Sequence, residues 1–210
     1  MKAVIFDMDG TLVNNIPYHE KSWISFFNLN GINISPESFS AQNHGTIDEM
    51  ITRFFGNELS DEKLKDLGQN KEQTYRDLYK NDLIEIAGLT AFLKDLKQKN
   101  IKIGLATMGD LPNIDFILDG LDIRNYFDKI TGGHEVSKGK PDPEIFLKSV
   151  EKLKIKPEEC LVFEDSLGGI QSALNASLKV VGVTTSHAEK ELLDFGCIKA
   201  IDDFENVDFV

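Results

Sequence analysis

The sequence predicts an α/β protein in which helices cover both faces of a parallel sheet, with an all-helical segment inserted after the first strand. Short apolar runs alternate along most of the chain with amphipathic helical patterns, as expected where helices connect parallel strands by right-handed crossovers. Residues 15–87 interrupt this alternation, because they contain helical patterns and no convincing strand. We therefore expect one discontinuous α/β domain from residues 1–14 and 88–210, and a helical domain from residues 15–87.

Five apolar segments are predicted to be strands. The first contains the run Ala3-Val4-Ile5-Phe6 within residues 2–7, and a polar turn follows it. Short apolar runs that end at turn signals are typical of buried strands in parallel sheets. The other predicted strands are residues 101–107, 128–131, 160–164 and 179–184.

Helical patterns fill the intervals between these strands. In the α/β part, we predict helices over residues 89–100 and 166–177, and a third helix that Asp142 and Pro143 open as N-cap and first turn. In the insertion, we predict helices over residues 19–30, 46–55 and 60–81. The apolar residues expected to form the core of the insertion are Trp23, Phe26, Phe27, Leu64, Leu67, Tyr75 and Leu78.

The charge balance excludes one class of partner. The chain has 23 Lys and Arg against 35 Asp and Glu, which gives a formal net charge of −12. Binding to nucleic acid depends on clustered basic residues that neutralise phosphates, so we expect no nucleic-acid partner. A local cationic pocket can still bind a small phosphorylated molecule.

The composition also predicts a cytoplasmic protein without a membrane segment. No apolar run approaches the roughly 20 residues that a membrane-spanning helix needs, and the first residues lack the pattern of a signal peptide. Cys160 and Cys197 are too few for a disulfide framework, so we expect two buried thiols in a reducing compartment. The composition indicates no oligomeric state.

Two aspartates follow the first predicted strand. Asp7 and Asp9 lie at its carboxyl end, where open parallel sheets bind ligands, and Gly10 allows the sharp turn that lets both face one site. Like charges this close repel, and a bound Mg²⁺ would relieve the repulsion. The alternative is that both carboxylates only stabilise the turn.

Three further polar positions lie near later strands. Glu164 and Asp165 end the predicted strand 160–164, where Asp165 or Ser166 could equally be an ordinary helix N-cap. Lys140, followed by a proline, could direct a cation at a phosphate or be a solvated surface lysine. Thr107 ends the strand 101–107, and its hydroxyl could bind a phosphate oxygen or serve only in a turn.

In this order along the chain, these motifs resemble those of the haloacid dehalogenase superfamily of phosphotransferases. The four segments that carry the resemblance are Asp7-x-Asp9-Gly10-Thr11, Thr107, Lys140 and Glu164-Asp165. Three longer segments are similar to the beta-phosphoglucomutase and phosphatase subgroup, and they are residues 18–23, 139–143 and 164–170. The resemblance covers the whole chain and implies a three-layer Rossmann-like core with residues 15–87 as a helical cap that closes over the site.

The resemblance also implies a role for each matching residue. Asp7 would be the nucleophile that forms an aspartyl-phosphate, and Asp9 would be the general acid/base. Thr107 and Lys140 would hold the oxygens of the transferring phosphoryl group. Mg²⁺ would be bound by the Asp7 carboxylate, the Asp9 backbone carbonyl and Asp165, with Glu164 in or near the ligand shell.

The chain departs from the subgroup in the predicted cap. Asn14 replaces an aspartate that many members carry, and Asp48 stands where the mutases have an arginine for the second phosphate of a sugar bisphosphate. Arg53, about one turn further on, is a substitute cation, and Lys71 matches a cap lysine of the subgroup. The cap candidates for substrate binding are His19, Lys71 and Arg53, with a weaker case for His44; His19 could instead be a satisfied interfacial histidine.

We therefore predict a Mg²⁺-dependent phosphatase that acts on a small phosphorylated metabolite. The alternative within the same family is a beta-phosphoglucomutase that interconverts beta-glucose 1-phosphate and glucose 6-phosphate. An alternative of another class is a non-catalytic protein that binds a phosphorylated metabolite, which would be expected to have lost a motif carboxylate. Asp7, Asp9 and Asp165 are all present.

Overall fold

A computed structural model describes residues 1–40, 42 and 46–207 of the chain. These residues form two compact units, one from residues 1–14 and from 83 onward, the other from residues 15–82. Among the described residues, no helix has both the length and the apolar character that crossing a lipid bilayer requires.

The first unit contains a parallel sheet, as the sequence predicts. Within the described residues its six strands are arranged in the order β3-β2-β1-β4-β5-β6. Every neighbouring pair is parallel, and β1 lies at the centre between β2 and β4. The strands are β1 Ala3–Phe6, β2 Lys102–Thr107, β3 Lys129–Gly132, β4 Cys160–Glu164, β5 Lys179–Val183 and β6 Lys199–Ile201.

The second unit is helical. Its helices are α1 Ile16–Leu29, α2 Pro36–Ser40, α3 Ile47–Phe55 and α4 Asp61–Tyr79. Thr46 and Ser60 cap α3 and α4, since each side chain accepts a hydrogen bond from a backbone N–H of the first turn. The apolar core of this unit is aromatic, and the rings of Trp23 and Phe27 stack at 5.3 Å.

The remaining helices flank the sheet. They are α5 Leu89–Gln98, α6 Leu111–Gly120, α7 Glu144–Leu153, α8 Leu167–Asn175 and α9 Glu189–Phe195.

Alternate residues of β1 point to opposite faces of the sheet, and each face packs against helices. On one face Phe6 stacks on Phe163 of β4 at 5.1 Å between ring centroids, and Phe92 of α5 packs edge-on against Phe6. On the other face Ile5 belongs to a core cluster with residues of α7 and α8, among them Phe146. The predicted three-layer arrangement is therefore confirmed.

Two local predictions need correction, and four elements were not predicted. Leu78 is 40% exposed, and Tyr79 is buried instead, because the buried face of α4 runs through Tyr75 and Tyr79, one turn apart. The third predicted helix of the α/β part starts at Glu144 with Pro143 as N-cap, while the Asp142 carboxylate accepts from the Glu144 N–H. Strand β6 and helices α2, α6 and α9 were not predicted.

The second unit ends earlier than the predicted helical domain. Residues 83–87 belong to the first unit, where the Ile86 N–H donates to the Leu12 carbonyl and the Ala87 carbonyl accepts from the Phe204 N–H. Backbone hydrogen bonds of this kind are invisible in a hydrophobic pattern, which explains the five-residue difference between residues 82 and 87.

Candidate active site

The site lies where the two central strands end. The Asp7 N–H donates to the Phe163 carbonyl, so the ladder between β1 and β4 continues to the residue that follows Phe6. The carboxyl ends of both strands therefore meet, and Asp7 comes beside Glu164 and Asp165. Carboxylate oxygens of these three buried residues lie within 4.8 Å of one another.

Lys140 bridges two of these carboxylates. Its ammonium Nζ lies 2.6 Å from Asp7 Oδ1 and 2.7 Å from Glu164 Oε1. The Lys140 side chain is only 11% exposed, which rules out the alternative of a solvated surface lysine. The other oxygen of Glu164 accepts from the Ser166 N–H at 2.7 Å and its hydroxyl at 3.1 Å, so Glu164 ties Lys140 to the start of α8.

Burial and neighbouring charges shift the pKa values of Lys140 and Asp7. Burial of Lys140 opposes its charged form, but the carboxylates of Asp7 and Glu164 outweigh that effect and raise the pKa of Lys140, so the ammonium stays protonated. Burial, followed by repulsion from neighbouring carboxylates, raises the pKa of Asp7 well above its ordinary value despite the attraction of Lys140. The single ammonium of Lys140 therefore does not fully offset burial and repulsion for the ionised form of Asp7.

Hydroxyl groups surround the third carboxylate. Ser186 donates to Asp165 Oδ2, and Thr11 donates to Asp165 Oδ1 at 3.4 Å. Burial and the neighbouring Glu164 nevertheless raise the pKa of Asp165 to about 7. Thr11 belongs to the first motif, whereas Ser186 lies outside the motifs, just beyond the carboxyl end of β5, where polar site residues are expected.

Two glycines leave the space that these carboxylates occupy. Gly10 has a φ of +74°, and a Cβ there would lie 2.1 Å from Asp165 Oδ2. A Cβ on Gly169 of α8 would lie 1.6 Å from Glu164 Oε1, whereas the adjacent Gly168 has nothing within 4 Å of that position. Gly10 and Gly169 are therefore required by close approach of side chains, and Gly168 is not.

Asp9 and Thr107 face a common point beside Gly109. The position of a Cβ on Gly109 lies 3.2 Å from Thr107 Oγ1 and 3.8 Å from Asp9 Oδ2. Thr107 is buried, and its hydroxyl oxygen accepts from the Gly109 N–H at 2.9 Å. The Asp9 carboxylate is not part of the three-carboxylate cluster, and its predicted contribution of a backbone carbonyl to a metal stays a prediction.

The cluster has the properties of a magnesium site. It offers hard carboxylate oxygens from three buried acids, and the ammonium of Lys140 contacts two of them. A divalent cation would balance the excess negative charge and return the raised pKa values of Asp7 and Asp165 toward their ordinary range. The residues present therefore fit Mg²⁺.

In the helical unit, two of the predicted residues lie together. Lys71 Nζ is 3.2 Å from His19 Nδ1 and 2.8 Å from Glu72 Oε1, and the side chains of Lys71 and Glu72 are 2% and 6% exposed. Because an ammonium group only donates, this contact is a hydrogen bond in the His19 tautomer whose Nδ1 accepts. The His19 ring also stacks on Tyr75 at 3.9 Å. Glu72 was not singled out by the motif analysis.

Arg53 is placed differently. Its guanidinium Nη1 donates to the Gln42 carbonyl at 2.8 Å and lies 2.9 Å from Met50 Sδ. Asp48 is exposed in the first turn of α3, a position that favours an acid because of the helix dipole. His44 lies outside the residues that the structure describes.

Comparisons with known proteins identify the family of the chain. A family model described as haloacid dehalogenase-like hydrolase matches residues 4–183. A phosphorylated carbohydrates phosphatase of Thermotoga maritima is 31% identical, over 96% of this chain and 94% of that protein. A beta-phosphoglucomutase of Bacillus subtilis is 33% identical, over 87% of this chain and 83% of that protein.

A solved structure extends the agreement to three dimensions. The structure of a HAD hydrolase, family IA, variant 3, from Entamoeba histolytica superposes with a TM-score of 0.90 at 33% identity. The superposition covers 100% of this chain and 96% of the other. With a family model that spans most of the chain and relatives that align over nearly their full length, the chain belongs to the haloacid dehalogenase-like hydrolases and is a phosphohydrolase of that family.

Proposed function

We propose that the protein is a Mg²⁺-dependent phosphatase of small phosphorylated metabolites, sugar phosphates in particular, that works through an aspartyl-phosphate on Asp7. The observation that carries the proposal is the cluster of three buried carboxylates bridged by Lys140 at the carboxyl ends of the central strands. The name of the Thermotoga maritima relative, a phosphorylated carbohydrates phosphatase, supports the substrate class.

The first half-reaction transfers the phosphoryl group to the protein. A carboxylate oxygen of Asp7 attacks phosphorus, and the bond between phosphorus and the leaving oxygen breaks. Asp9 donates its proton to that oxygen, which leaves as an alcohol. The Lys140 ammonium and the Thr107 hydroxyl neutralise and orient the phosphoryl oxygens, since phosphoryl transfer depends mainly on alignment and charge.

The second half-reaction restores Asp7. Asp9, now ionised, takes a proton from water, whose oxygen attacks phosphorus and breaks its bond to the Asp7 oxygen. Inorganic phosphate leaves, and both aspartates return to their initial state. When bound by Asp7, the Asp9 carbonyl, Asp165 and, within or near the shell, Glu164, Mg²⁺ supplies positive charge for the phosphoryl oxygens.

The charges of the helical unit favour hydrolysis over the mutase reaction. A mutase needs a cation for the second phosphate of a bisphosphate, and arginine suits this role through bidentate contacts. Here Asp48 stands at the matching position, Glu72 pairs with Lys71 at 2.8 Å, and Arg53 donates to a backbone carbonyl. An acid at position 48 would repel a second phosphate.

One experiment separates the candidate functions. The purified protein, with Mg²⁺, is given beta-glucose 1-phosphate and a trace of beta-glucose 1,6-bisphosphate, while glucose 6-phosphate and free phosphate are followed together. A parallel screen measures phosphate release from other sugar phosphates, nucleotides and pyrophosphate. We expect phosphate release from sugar phosphates to exceed isomerisation.

The other outcomes contradict the proposal in distinct ways. Fast formation of glucose 6-phosphate with negligible phosphate release would make the protein a mutase. Saturable binding of sugar phosphates without either product would make it a non-catalytic binder. The variant Asp48→Arg adds a check, because it is expected to improve bisphosphate binding if the alignment of this position is right.

A further inference from the structure

The loop between β5 and α9 contacts both acidic segments of the site. The Thr185 hydroxyl donates to the Gly10 carbonyl, in the turn after β1, and the Ser186 hydroxyl donates to Asp165 Oδ2. Neither residue belongs to the family motifs on which the sequence prediction depends. Two successive side chains of one loop therefore contact the two segments that carry Asp7, Asp9 and Asp165.

The loop is itself anchored to the sheet. The N–H of Thr184 donates to the Ile201 carbonyl of β6 at 2.9 Å, and its hydroxyl, which lies 3.3 Å from the same carbonyl, donates to Asp202 Oδ1. This backbone hydrogen bond anchors the start of the loop, just after β5, to the neighbouring strand β6. Thr185 and Ser186 follow this anchored residue and contact Gly10 and Asp165.

We propose that Ser186 is a positioning residue that orients the Asp165 carboxylate for Mg²⁺, with Thr185 holding the adjoining turn through Gly10. Ser186 reaches Oδ2 while Thr11 reaches Oδ1 at 3.4 Å, so donors on both oxygens define the plane of the carboxylate. A carboxylate oxygen has lone pairs for both a hydroxyl donor and a metal. Ser186 can therefore keep its hydrogen bond when Asp165 binds the cation.

The role follows from how metal ligands are generally supported. Partners that hydrogen-bond a metal-binding carboxylate fix its orientation, and their loss typically lowers metal affinity by about 10- to 100-fold. The neighbouring Glu164 repels the Asp165 carboxylate, and the Ser186 hydroxyl opposes its displacement by holding Oδ2. The inference rests on the proposed Mg²⁺ site, and it concerns how strongly this chain holds the ion.

The test uses neighbouring variants of the full-length protein. Mg²⁺ dissociation constants are measured by isothermal titration calorimetry for the wild type, Ser186→Ala, Ser186→Thr, Thr185→Val and Thr184→Val. Ser186→Thr retains the hydroxyl. Thr184→Val is the matched control, because it keeps the backbone bond to Ile201 and removes a hydroxyl of the same loop that contacts Ile201 and Asp202 rather than the carboxylate cluster.

We expect Ser186→Ala to raise the dissociation constant by about tenfold or more and Thr185→Val to raise it by less. Ser186→Thr and Thr184→Val are expected to stay near the wild-type value. Excess Mg²⁺ should restore most of the kcat of Ser186→Ala, which a general disturbance of the loop would not allow. Melting temperatures in EDTA should agree within about 2 °C, a difference below 1 kcal/mol for a chain of this length.

Three results would overturn the inference. Equal Mg²⁺ affinity in Ser186→Ala and the wild type would remove the positioning role while leaving the proposed phosphatase intact. Equal weakening in Thr184→Val would assign the effect to loop integrity. A wild-type protein that binds no Mg²⁺ would overturn both the inference and the metal dependence of the proposed function.

Discussion

Asp7, Glu164 and Asp165 lie within 4.8 Å of one another, and the ammonium group of Lys140 bridges the first two. Burial and mutual repulsion raise the pKa of Asp7 and bring that of Asp165 to about 7, so the folded protein disfavours their ionised forms. A bound cation would lower the free energy of these ionised carboxylates.

The variant Asp7→Asn tests the nucleophile. The amide is a much weaker nucleophile, and we expect phosphate release to fall by at least about a thousandfold. The fold should persist, because Lys140 keeps its contact with Glu164 at 2.7 Å. Removing a buried acid with a raised pKa should also leave the melting temperature in EDTA unchanged or higher.

Activity and circular-dichroism melting of Asp7→Asn are measured beside those of Asp48→Asn. Asp48 is exposed in α3, so its variant should behave like the wild type in phosphate release from a monophosphate. Near-normal turnover in Asp7→Asn would show that another residue is phosphorylated.

The second prediction at this scale concerns proton transfer by Asp9. A general acid matters most when the leaving group is a poor one, and a positioned acid contributes about 10²- to 10⁴-fold. Asp9→Asn should therefore slow phosphoryl transfer from a sugar phosphate far more than from para-nitrophenyl phosphate. Rapid-quench measurement of the phosphorylation step with both substrates distinguishes the cases, and equal losses would exclude the leaving-group role.

At the scale of the element, the first turn of α8 packs against a carboxylate of the site. The Ser166 side chain accepts from the Gly169 N–H at 3.1 Å and caps the helix, while its own N–H and hydroxyl donate to Glu164. The Glu164 carboxylate therefore packs against the backbone of the first turn of α8. Gly169 is necessary because no side chain fits beside that carboxylate.

The two glycines of α8 give a matched pair of variants. Gly169→Ala puts a Cβ 1.6 Å from Glu164 Oε1, so Glu164 must move and release Lys140. We expect a loss of stability of about 1–3 kcal/mol, as for other overpacked sites, together with a large loss of activity. Gly168→Ala has nothing within 4 Å and should stabilise the helix by up to about 1 kcal/mol.

Urea unfolding and phosphate release are measured for both variants. Similar stability and activity in Gly169→Ala and Gly168→Ala would mean that Glu164 is not held against the helix as described. Opposite effects on stability would establish the close approach, because the substitution, the helix and the turn are the same in both.

At the scale of the whole molecule, burial of the central strands and the cost of the carboxylate cluster at their ends oppose each other energetically. Residues of β1 are buried on both faces, and fully burying side chains such as Phe6 and Ile5 contributes about 1.5–3 kcal/mol each. That apolar core offsets the free energy of collecting three buried carboxylates at its edge. The site is therefore expected to be the part of the first unit that gains most from ligand binding.

Mg²⁺ is accordingly expected to stabilise the protein and to be required for turnover. Binding to the folded state alone contributes about 2.7 kcal/mol when the free ion is at 100 times its dissociation constant. For a chain of this length that corresponds to about 5–10 °C in Tm. Thermal unfolding with Mg²⁺, with EDTA, and with Mg²⁺ restored after EDTA provides the measurement.

The variant Asp165→Asn is the control for the thermal shift. It retains the shape of the side chain and removes one charged ligand, so it should lose most of the stabilisation by Mg²⁺. An equal rise in Tm for this variant and the wild type would locate the ion elsewhere. Full turnover in EDTA would contradict the metal dependence directly.

The class of fold and the residues that form the acidic cluster could be predicted from the sequence alone. Apolar runs such as residues 3–6 are typical of strands that are buried on both faces of a sheet, and such runs can be recognised from the local sequence. Because parallel strands end at one edge, Asp7 and Asp165 could be expected to meet although 158 positions separate them, the difference between 165 and 7.

Other features depend on contacts between distant parts of the chain, which local sequence patterns do not predict. Strand β6 has only three residues, Lys199–Ile201, none of them fully buried, and it exists through its pairing with β5. Ser186 and Glu72 are ordinary polar residues in the sequence, and they gain a role through contacts with Asp165 and Lys71. Periodicity reports which face of an element is buried, whereas hydrogen bonds between distant residues depend on where the fold brings each side chain.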